Sequence, residues 1–222
     1  MVAHEMIIAN SFKSIHKIIS RGIDVSIERL PGFIQDGFKG DRIRQGYLDY
    51  VRALASIVNA HHLTEDEIAF PYFRDKLPET HFEWLDEDHH LIAGFLDELK
   101  PVMEKLDADD RSQATLKNLQ VVLLKISDRW YQHIDLEVAE FIDLVDALAT
   151  EEEQQDLVKQ FAEHGVKLSV PLPLSVPFLL YNLVGEERKA FTKDFPPEVL
   201  HNLVPHVWRE LWEPMTPFLL EI

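Results

Sequence analysis

The segment that decides the fold is residues 51–72, VRALASIVNAHHLTEDEIAFPY. Its core-type positions step by 3, 4, 3, 4, 3 and 4 residues, and they are Val51, Leu54, Val58, His61, Glu65, Ile68 and Tyr72. This period is typical of a helix that packs along a seam in a helix bundle. Two positions of the seam, His61 and Glu65, are polar. The segment therefore predicts a bundle helix that carries polar side chains into the core.

The helical period recurs on both sides of this segment. A first helix is predicted from Met6 to about Leu30, where Pro31-Gly32 should end it, and Asp41 is the expected N-cap of the second. The third and fourth helices carry the seams Leu85, His89, Ile92, Leu96, Leu99, Met103 and Leu116, Leu119, Leu123, Ile126, Trp130, His133, Glu137, Phe141, Leu144. Because the connections between these helices are short, we expect an all-α fold, an antiparallel up-down-up-down four-helix bundle.

The character of the sequence changes after about residue 150. EEEQQ at 151–155 opens a short helical stretch to about His164, and the prolines at 171, 173 and 177 should then prevent regular helix. Short helices are expected again around residues 178–183 and 198–212. We therefore predict two parts, the bundle at residues 1–150 and a helical, proline-rich C-terminal extension at residues 151–222 that packs on the bundle.

The composition excludes several classes of protein. The 222 residues include 22 Lys and Arg against 39 Asp and Glu, a net charge of −17, so a nucleic-acid partner is not expected. The chain has no Cys, which excludes disulfides, thiolate metal sites and iron–sulfur clusters. No export signal and no apolar run of about 20 residues is visible, so we predict a cytoplasmic protein that does not enter the membrane.

Histidine and glutamate at core positions point to a metal site. His61 with Glu65, and His133 with Glu137, lie four residues apart, which puts both side chains of each pair on one helical face. An ionised carboxylate buried without a cation or strong donors is very costly, so burial for structural reasons alone explains the two glutamates poorly. The predicted metal ligands are His16, His61, His62, Glu65, His89, His133 and Glu137. Mixed imidazole and carboxylate ligands suit iron, manganese or zinc.

The first helix offers two histidines as the ligand. His16 lies on the core face between Phe12 and Ile19, whereas His4 lies near the frayed end of the helix, so His16 is preferred. The histidines outside the seams are interpreted as caps or surface residues, and they are His81, His164, His201 and His206.

These motifs resemble those of the hemerythrin-like, or HHE cation-binding, family. The second helix reads HHLTEDEIAFP at 61–71, close to the family's His-His-x-x-Glu-Asp-Glu signature followed by Pro. The third helix has Asp88-His89-His90 and the fourth has HIDLE at 133–137, in the family's order. The resemblance covers about residues 1–150. It implies a non-haem di-iron centre inside the bundle, with Glu65 and Glu137 bridging the irons and the histidines as terminal ligands.

The resemblance also implies a function. Members of the family bind or react with oxygen, peroxide or nitric oxide, in sensing, stress response or iron handling. Two departures from the oxygen-carrier pattern argue against reversible oxygen carriage. Ala93 stands where carriers have a second histidine on the third helix, and Glu137 follows His133 by four residues where carriers have an Asp five residues on. His62 is the expected substitute for the missing histidine, and His90 is a poorer one because it lies one step off the seam.

Other classes of function stay open from the sequence. A metal-free helical interaction module would use the buried histidines as a hydrogen-bond network or a pH switch. A ferritin-like di-iron oxidase needs two Glu-x-x-His pairs, and the predicted bundle contains one, Glu87 with His90. A zinc hydrolase is disfavoured because no His-Glu-x-x-His motif occurs. The sequence is compatible with a homodimer, and it does not decide whether the protein catalyses a reaction.

Overall fold

The computed structural model describes residues 7–169 and 171–220, and these residues form helices joined by short connections. No strand occurs within these two ranges. The prediction of an all-α protein is therefore confirmed. No helix in the described part of the chain is long and apolar enough to cross a membrane.

Four long helices account for most of the first two thirds of the chain, and shorter helices follow. The α-helices of the described ranges are α1 Ile7–Asp36, α2 Asp41–Thr64, α3 Phe70–Phe73, α4 Phe82–Asp107, α5 Gln113–Glu137, α6 Asp143–Val145, α7 Glu151–Leu168, α8 Leu172–Tyr181, α9 Gly185–Thr192 and α10 Arg209–Trp212. Between them lie the π-helical segments Glu65–Ala69, Val138–Ile142 and Val199–Val207 and the 3₁₀ segments Asp146–Leu148 and Glu213–Phe218. The long helices α1, α2, α4 and α5 correspond to the predicted bundle helices.

The first helix continues beyond the residue where the sequence predicted its end. α1 passes through Pro31 and ends at Asp36. A proline inside a helix loses one backbone hydrogen bond and crowds the carbonyl four residues earlier. The additional turn is nevertheless anchored by Phe33, whose ring centroid lies 4.5 Å from that of Phe38 and 4.9 Å from that of Tyr47. Aromatic packing at the end of α1 therefore offsets the cost of the proline.

Helix starts follow the expected capping chemistry with one difference. The N-cap of α2 is Gly40, at φ 98°, and Asp41, predicted as the cap, is the first helical residue. Its carboxylate still lies in the first turn, where negative charge is favourable. Ser112 caps α5, and Thr150 forms a capping box with Glu153 at the start of α7.

The four long helices pack side by side. α1 contacts α2 and α5, and α4 contacts the same two helices. Side-chain contacts between them include His16–His61 and Ser26–Tyr47 (α1 with α2), Arg44–Leu106 and His62–His89 (α2 with α4), Glu98–Lys125 and His89–His133 (α4 with α5), and Ser20–Trp130 and His16–Glu137 (α1 with α5). For each of these four pairs of helices, the numbers of the contacting residues rise along one helix as they fall along the other.

Two π-helical segments shift the buried face of the helices that contain them. The predicted seam of α2 is buried through Glu65, but after it Ala69 is fully buried and the predicted Ile68 is only half-buried. After α5, Val145 is fully buried and the predicted Leu144 is 43% exposed. A π turn closes its hydrogen bonds one residue later than an α turn, so the side chains after it move by one position around the helix.

The prolines after residue 168 do not prevent helix formation. α7 continues through Gly165 to Leu168, beyond its predicted end. α8 has Pro173 in its first turn, where a missing N–H costs nothing, and Pro177 farther along. Pro177 removes one backbone hydrogen bond, and the burial of Phe178 and its neighbours offsets that loss.

The segments after α7 approach the first two helices closely at two glycines. Phe178 of α8 lies against Gly22 of α1, where a Cβ would be 2.6 Å from the phenylalanine ring. At Gly46 of α2, a Cβ would overlap the backbone carbonyl of Pro214. α7 also contacts α1 and α2. Residues on both sides of the predicted boundary at 150 therefore share contacts, while the boundary itself stays a prediction.

Candidate metal centre

Two helices present His–Glu pairs at the points where they change to π-helix. His61 lies in the last turn of α2, and Glu65 is the first residue of the π-helical segment that follows. His133 lies four residues before the end of α5, and Glu137 is the final residue of that helix, directly before the second π-helical segment. π turns occur frequently at functional sites. The two pairs are thus set in the same local structure.

The predicted ligands are all buried. Relative exposures are 7% or less for His16, His61, His62, Glu65, His89, His133 and Glu137. The structure arranges these side chains in two groups that share one residue. Within each group, one ligand atom from every residue lies within 4.8 Å of the others.

The first group contains His16, His61, Glu65 and Glu137. Nε2 of His16 lies 3.0 Å from Nε2 of His61 and 3.1 Å from Oε2 of Glu137. Nδ1 of His61 lies 3.3 Å from Oε1 of Glu65. Two imidazoles and two carboxylates therefore converge on one point.

The second group contains His62, Glu65, His89 and His133. Nε2 of His89 lies 3.2 Å from Nε2 of His133 and 3.4 Å from Oε2 of Glu65. The ring of His62 stacks on that of His89, with centroids 4.1 Å apart. Oε2 of Glu137 is also within 3.5 Å of Nε2 of His133. The two glutamates thus lie between the two sets of imidazoles.

Several buried polar atoms of these groups, above all the carboxylate oxygens, lack hydrogen-bond partners. Both oxygens of Glu65, both oxygens of Glu137 and Nε2 of His62 have none among the described residues. A buried polar group left unsatisfied costs about 1–3 kcal/mol, and more when it is charged. A cation bound by imidazole and carboxylate would satisfy all of these atoms at once. The donor set therefore fits a metal such as iron, manganese or zinc.

Burial also changes the proton affinity of the cluster. It raises the pKa of Glu65 well above the ordinary value, and repulsion from the carboxylate of Glu137 adds to the rise. Burial acts in the same direction on Glu137, but attraction to the neighbouring histidines outweighs it and lowers the pKa of that carboxyl. Burial lowers the pKa of His133 to about 3 and the pKa values of His61 and His62 well below the ordinary value. These three imidazoles are therefore neutral at pH 7, the form that binds metals.

Aromatic rings line the cluster. Trp130 is fully buried, and its ring centroid lies 5.4 Å from that of His16 and 5.8 Å from that of His61. Phe70 stacks on His89 with centroids 5.4 Å apart. Apolar walls keep water away and lower the local dielectric constant, which strengthens interactions between charges inside.

Other candidate positions lie away from the cluster. Glu87 and His90, the Glu-x-x-His pair of the third predicted helix, are both exposed. Ala93, at the position of the carriers' second histidine, is exposed as well, so His62 rather than a residue of α4 brings the additional imidazole. His4, the alternative to His16, lies outside the described residues.

Two carboxylates behind the imidazoles were missed from the sequence. Oδ1 of Asp66 lies 2.6 Å from Nδ1 of His89. Oδ2 of Asp88 lies 3.6 Å from Nδ1 of His133, and the same carboxylate forms a close ion pair with Arg129. Each aspartate directly adjoins a predicted ligand in the sequence, which is the one signal that could have identified it.

His164, interpreted from the sequence as a cap or surface residue, also contacts this region. His164 of α7 has Nδ1 3.0 Å from Oγ1 of Thr64 and Nε2 2.9 Å from Oε2 of Glu67. Both partners are near neighbours of Glu65 in the sequence. α7 therefore contacts side chains on each side of that ligand candidate.

The fold and the cluster together define a helical protein with a buried donor set suited to a cation. The model of the hemerythrin HHE cation binding domain matches residues 8–145, which include every residue of both groups. The match covers more than half of the chain, and the chain belongs to the hemerythrin HHE cation-binding domain family. No curated protein and no solved structure matches it.

Proposed function

We propose that the protein is a dinuclear non-haem iron protein that binds or reacts with oxygen, peroxide or nitric oxide. The observation that carries the proposal is the position of Glu65, whose two oxygens face two separate sets of imidazoles. A carboxylate in that position can bridge two cations, and without a cation it is a buried group with no hydrogen-bond partner. Membership of the cation-binding family supports the same conclusion.

The proposed ligands leave coordination positions free. One ion is assigned to His16, His61, Glu65 and Glu137, and the other to His62, Glu65, His89 and His133. Five imidazole nitrogens and four carboxylate oxygens give at most nine donor atoms, whereas two six-coordinate ions offer about twelve positions. Solvent or a small ligand can occupy the remainder.

Bound iron would supply redox chemistry and an exchangeable position for a diatomic molecule or a peroxide. The protein would bind the ions through neutral imidazoles and share the negative charge of two glutamates between them. Trp130 and Phe70 would restrict water around the imidazoles, since their rings contact several of these directly. The proposed partner is thus a small ligand, and the geometry favours none of oxygen, peroxide and nitric oxide over the other two.

The proposal includes the architecture that holds the site. We propose that α1, α2, α4 and α5 form an antiparallel up-down-up-down four-helix bundle, which the opposite residue order within each contacting pair supports. The bundle would comprise residues 1–150, and the helical extension at 151–222 would pack on it. A cytoplasmic location and a homodimer stay predictions from the sequence.

The first experiment is metal analysis of protein expressed in iron-supplemented medium. We expect about two irons per chain and near-ultraviolet absorption bands that change when the reduced protein meets air or peroxide. A folded protein that stays metal-free and colourless would contradict the proposal and favour a metal-free interaction module.

Variants test the assignment of the ligands. His61→Ala and Glu137→Ala should each lower iron occupancy well below that of His201→Ala, a matched control because His201 is exposed on the C-terminal π-helical segment. Equal occupancy in all three variants would show that the assigned cluster is not the site. Efficient ferroxidase turnover by the wild type would favour the ferritin-like alternative, although its Glu87 and His90 are exposed here.

A further inference from the structure

The two groups of the cluster differ in what lies behind their imidazole rings. His89 and His133 each have an aspartate next to Nδ1, on the side of the ring away from the other imidazole. Asp66 contacts His89 at 2.6 Å, and Asp88 lies 3.6 Å from His133. Both histidines belong to the second group.

Each aspartate is held in place. Asp88 is 1% exposed and forms a close ion pair with Arg129, which fixes the orientation of the carboxylate. Asp66 lies in the π-helical segment that begins at Glu65, one residue after the shared carboxylate. Its position is therefore fixed by the same turn that places Glu65.

The contact with Asp66 determines which ring nitrogen of His89 is free. A carboxylate is an acceptor only, so Nδ1 of His89 donates its hydrogen to Asp66, and Nε2 keeps its lone pair. Nδ1 of His133 has no hydrogen-bond partner among the described residues, and Asp88 is the carboxylate that faces it. A carboxylate behind a ligand histidine fixes the tautomer and raises the basicity of the coordinating nitrogen.

The first group lacks this arrangement. In the part of the chain that the structure describes, the ion pairs of His16 and His61 are with Glu137 and Glu65, which are themselves proposed ligands. Trp130 packs against both of these imidazoles. Aromatic rings flank both groups, since Phe70 stacks on His89 and Trp130 lies 6.0 Å from His133. The difference between the groups is therefore the additional carboxylates behind His89 and His133.

We infer that Asp66 and Asp88 are positioning residues that make the two metal positions inequivalent. They strengthen the binding of an ion at the position formed by His62, Glu65, His89 and His133, and they favour the oxidised state of iron there, whereas the other position does not depend on them. This inference rests on the proposed function, because it presupposes two bound ions. It adds that one of the two positions owes part of its affinity and of its reduction potential to carboxylates that do not bind the metal.

The test is an anaerobic titration of the metal-free protein with Co²⁺, followed by visible absorption. We expect two binding steps in the wild type. In Asp66→Asn, which is close in size but uncharged, one step should weaken by about 10–100-fold and the other should keep its wild-type affinity. Asp88→Asn should weaken the same step, and if the loss of the Arg129 partner prevents folding, Asp66→Asn alone decides the matter.

The matched control is Asp86→Asn. Asp86 is on α4 like Asp88, and its substitution by Asn removes the same charge. Its carboxylate pairs with Arg74 at 3.0 Å and, among the described residues, contacts no imidazole of the cluster. Both of its binding steps should match those of the wild type. Similar weakening in Asp86→Asn and Asp66→Asn would assign the effect to net charge and overturn the inference.

A second measurement separates electrostatic tuning from simple damage to the fold. In iron-loaded protein, Asp66→Asn should raise the reduction potential of one iron and leave that of the other unchanged. Unchanged potentials and two wild-type binding steps would overturn the inference while leaving the proposed function intact. A wild-type protein that binds no Co²⁺ and no iron would overturn both.

Discussion

Replacing Glu65 with Gln should stabilise the metal-free protein at neutral pH while it weakens metal binding. Burial and the carboxylate of Glu137 raise the pKa of Glu65, so the metal-free fold either keeps a proton on this carboxyl or holds two buried negative charges side by side. The amide of Gln has nearly the same shape as a protonated carboxyl and can donate a hydrogen bond to Glu137 in the same way. It needs no proton from solvent.

The magnitude follows from linkage between protonation and folding. The ordinary pKa of a Glu carboxyl is 4.5, about 2.5 units below pH 7. Keeping Glu65 protonated in the fold at pH 7 therefore lowers the free energy of unfolding by about 3 kcal/mol. A carboxyl whose pKa is raised in the fold gives its full stabilisation below pH 4.5, and that stabilisation is lost as the pH rises. The advantage of Gln therefore grows from near zero at pH 4.5 to an upper limit of about 3 kcal/mol at pH 7.

Urea unfolding of both proteins, monitored by circular dichroism after chelator treatment, measures this difference. Glu67→Gln is the matched control, because Glu67 lies in the same π-helical segment, its side chain is 58% exposed, and the amide oxygen of Gln can still accept the hydrogen bond from His164. Its effect should stay within about 0.5 kcal/mol. With saturating Fe²⁺ under anaerobic conditions the order should reverse, since a ligand that binds only the folded state stabilises the wild type more.

One result would refute this reasoning. If Glu65→Gln lowers the free energy of unfolding of the metal-free protein at pH 7 by more than about 1 kcal/mol, the carboxylate is a structural residue with favourable contacts of its own. Retention of wild-type iron affinity by the same variant would contradict its role as a shared ligand.

Two further predictions concern stability. The urea midpoint of the metal-free Glu65→Gln variant should fall as the pH drops below about 6.5, because burial lowers the pKa values of His61, His62 and His133 and the unfolded chain then binds protons that the fold excludes; the variant removes the opposite contribution of the Glu65 carboxyl, and a midpoint that stays constant down to pH 5 would contradict these shifts. Gly46→Ala should lower the free energy of unfolding by more than about 2 kcal/mol, because its Cβ would overlap backbone of the C-terminal 3₁₀ segment. Gly94→Ala, in open space on α4, should instead raise it by up to about 1 kcal/mol, and equal effects of the two substitutions would contradict the close packing at Gly46.

The helical period predicted the long helices because their seams are buried over most of their length. Every seam position of α4, from Leu85 to Met103, is buried in the structure. The seam failed in two helices, at Ile68 within one π-helical segment and at Leu144 shortly after the other, while Phe141, four residues after Glu137, stays buried. A period of 3.6 residues cannot anticipate a π turn, since the extra residue changes the phase of the pattern without changing its composition.

Proline was the second source of error. The sequence predicted a break at Pro31 and irregular structure around Pro173 and Pro177, and all three lie in helices. The free-energy cost of a proline in a helix comes from its ring and its missing N–H, and it can be predicted from the local sequence. The contacts that offset this cost are tertiary ones, such as those of Phe33 and Phe178, and local sequence patterns do not predict them.

The ligand candidates were accessible from the sequence because metal ligands share the period of the seam. His62 lies one step off the seam of α2 and is buried in the cluster all the same. The helical period did not identify Asp66 and Asp88, because a carboxylate behind an imidazole need not lie on the seam, and only their place next to a predicted ligand marked them. Their function depends on the direction of a ring nitrogen, which the three-dimensional arrangement of helices determines.

The close approach at Gly46 has a consequence for the order of synthesis. Pro214 follows Gly46 in the chain by 168 residues, the difference between their numbers. At about 5–20 residues per second, the ribosome needs roughly 8–34 s to make that interval. Until then the surface of α2 around Gly46 and Tyr47 cannot acquire its final cover. The last residue of the ligand cluster, Glu137, precedes Pro214 by 77 residues, the difference between their numbers. We therefore expect that a metal ion can reach a complete set of ligands before the C-terminal segment packs on α2.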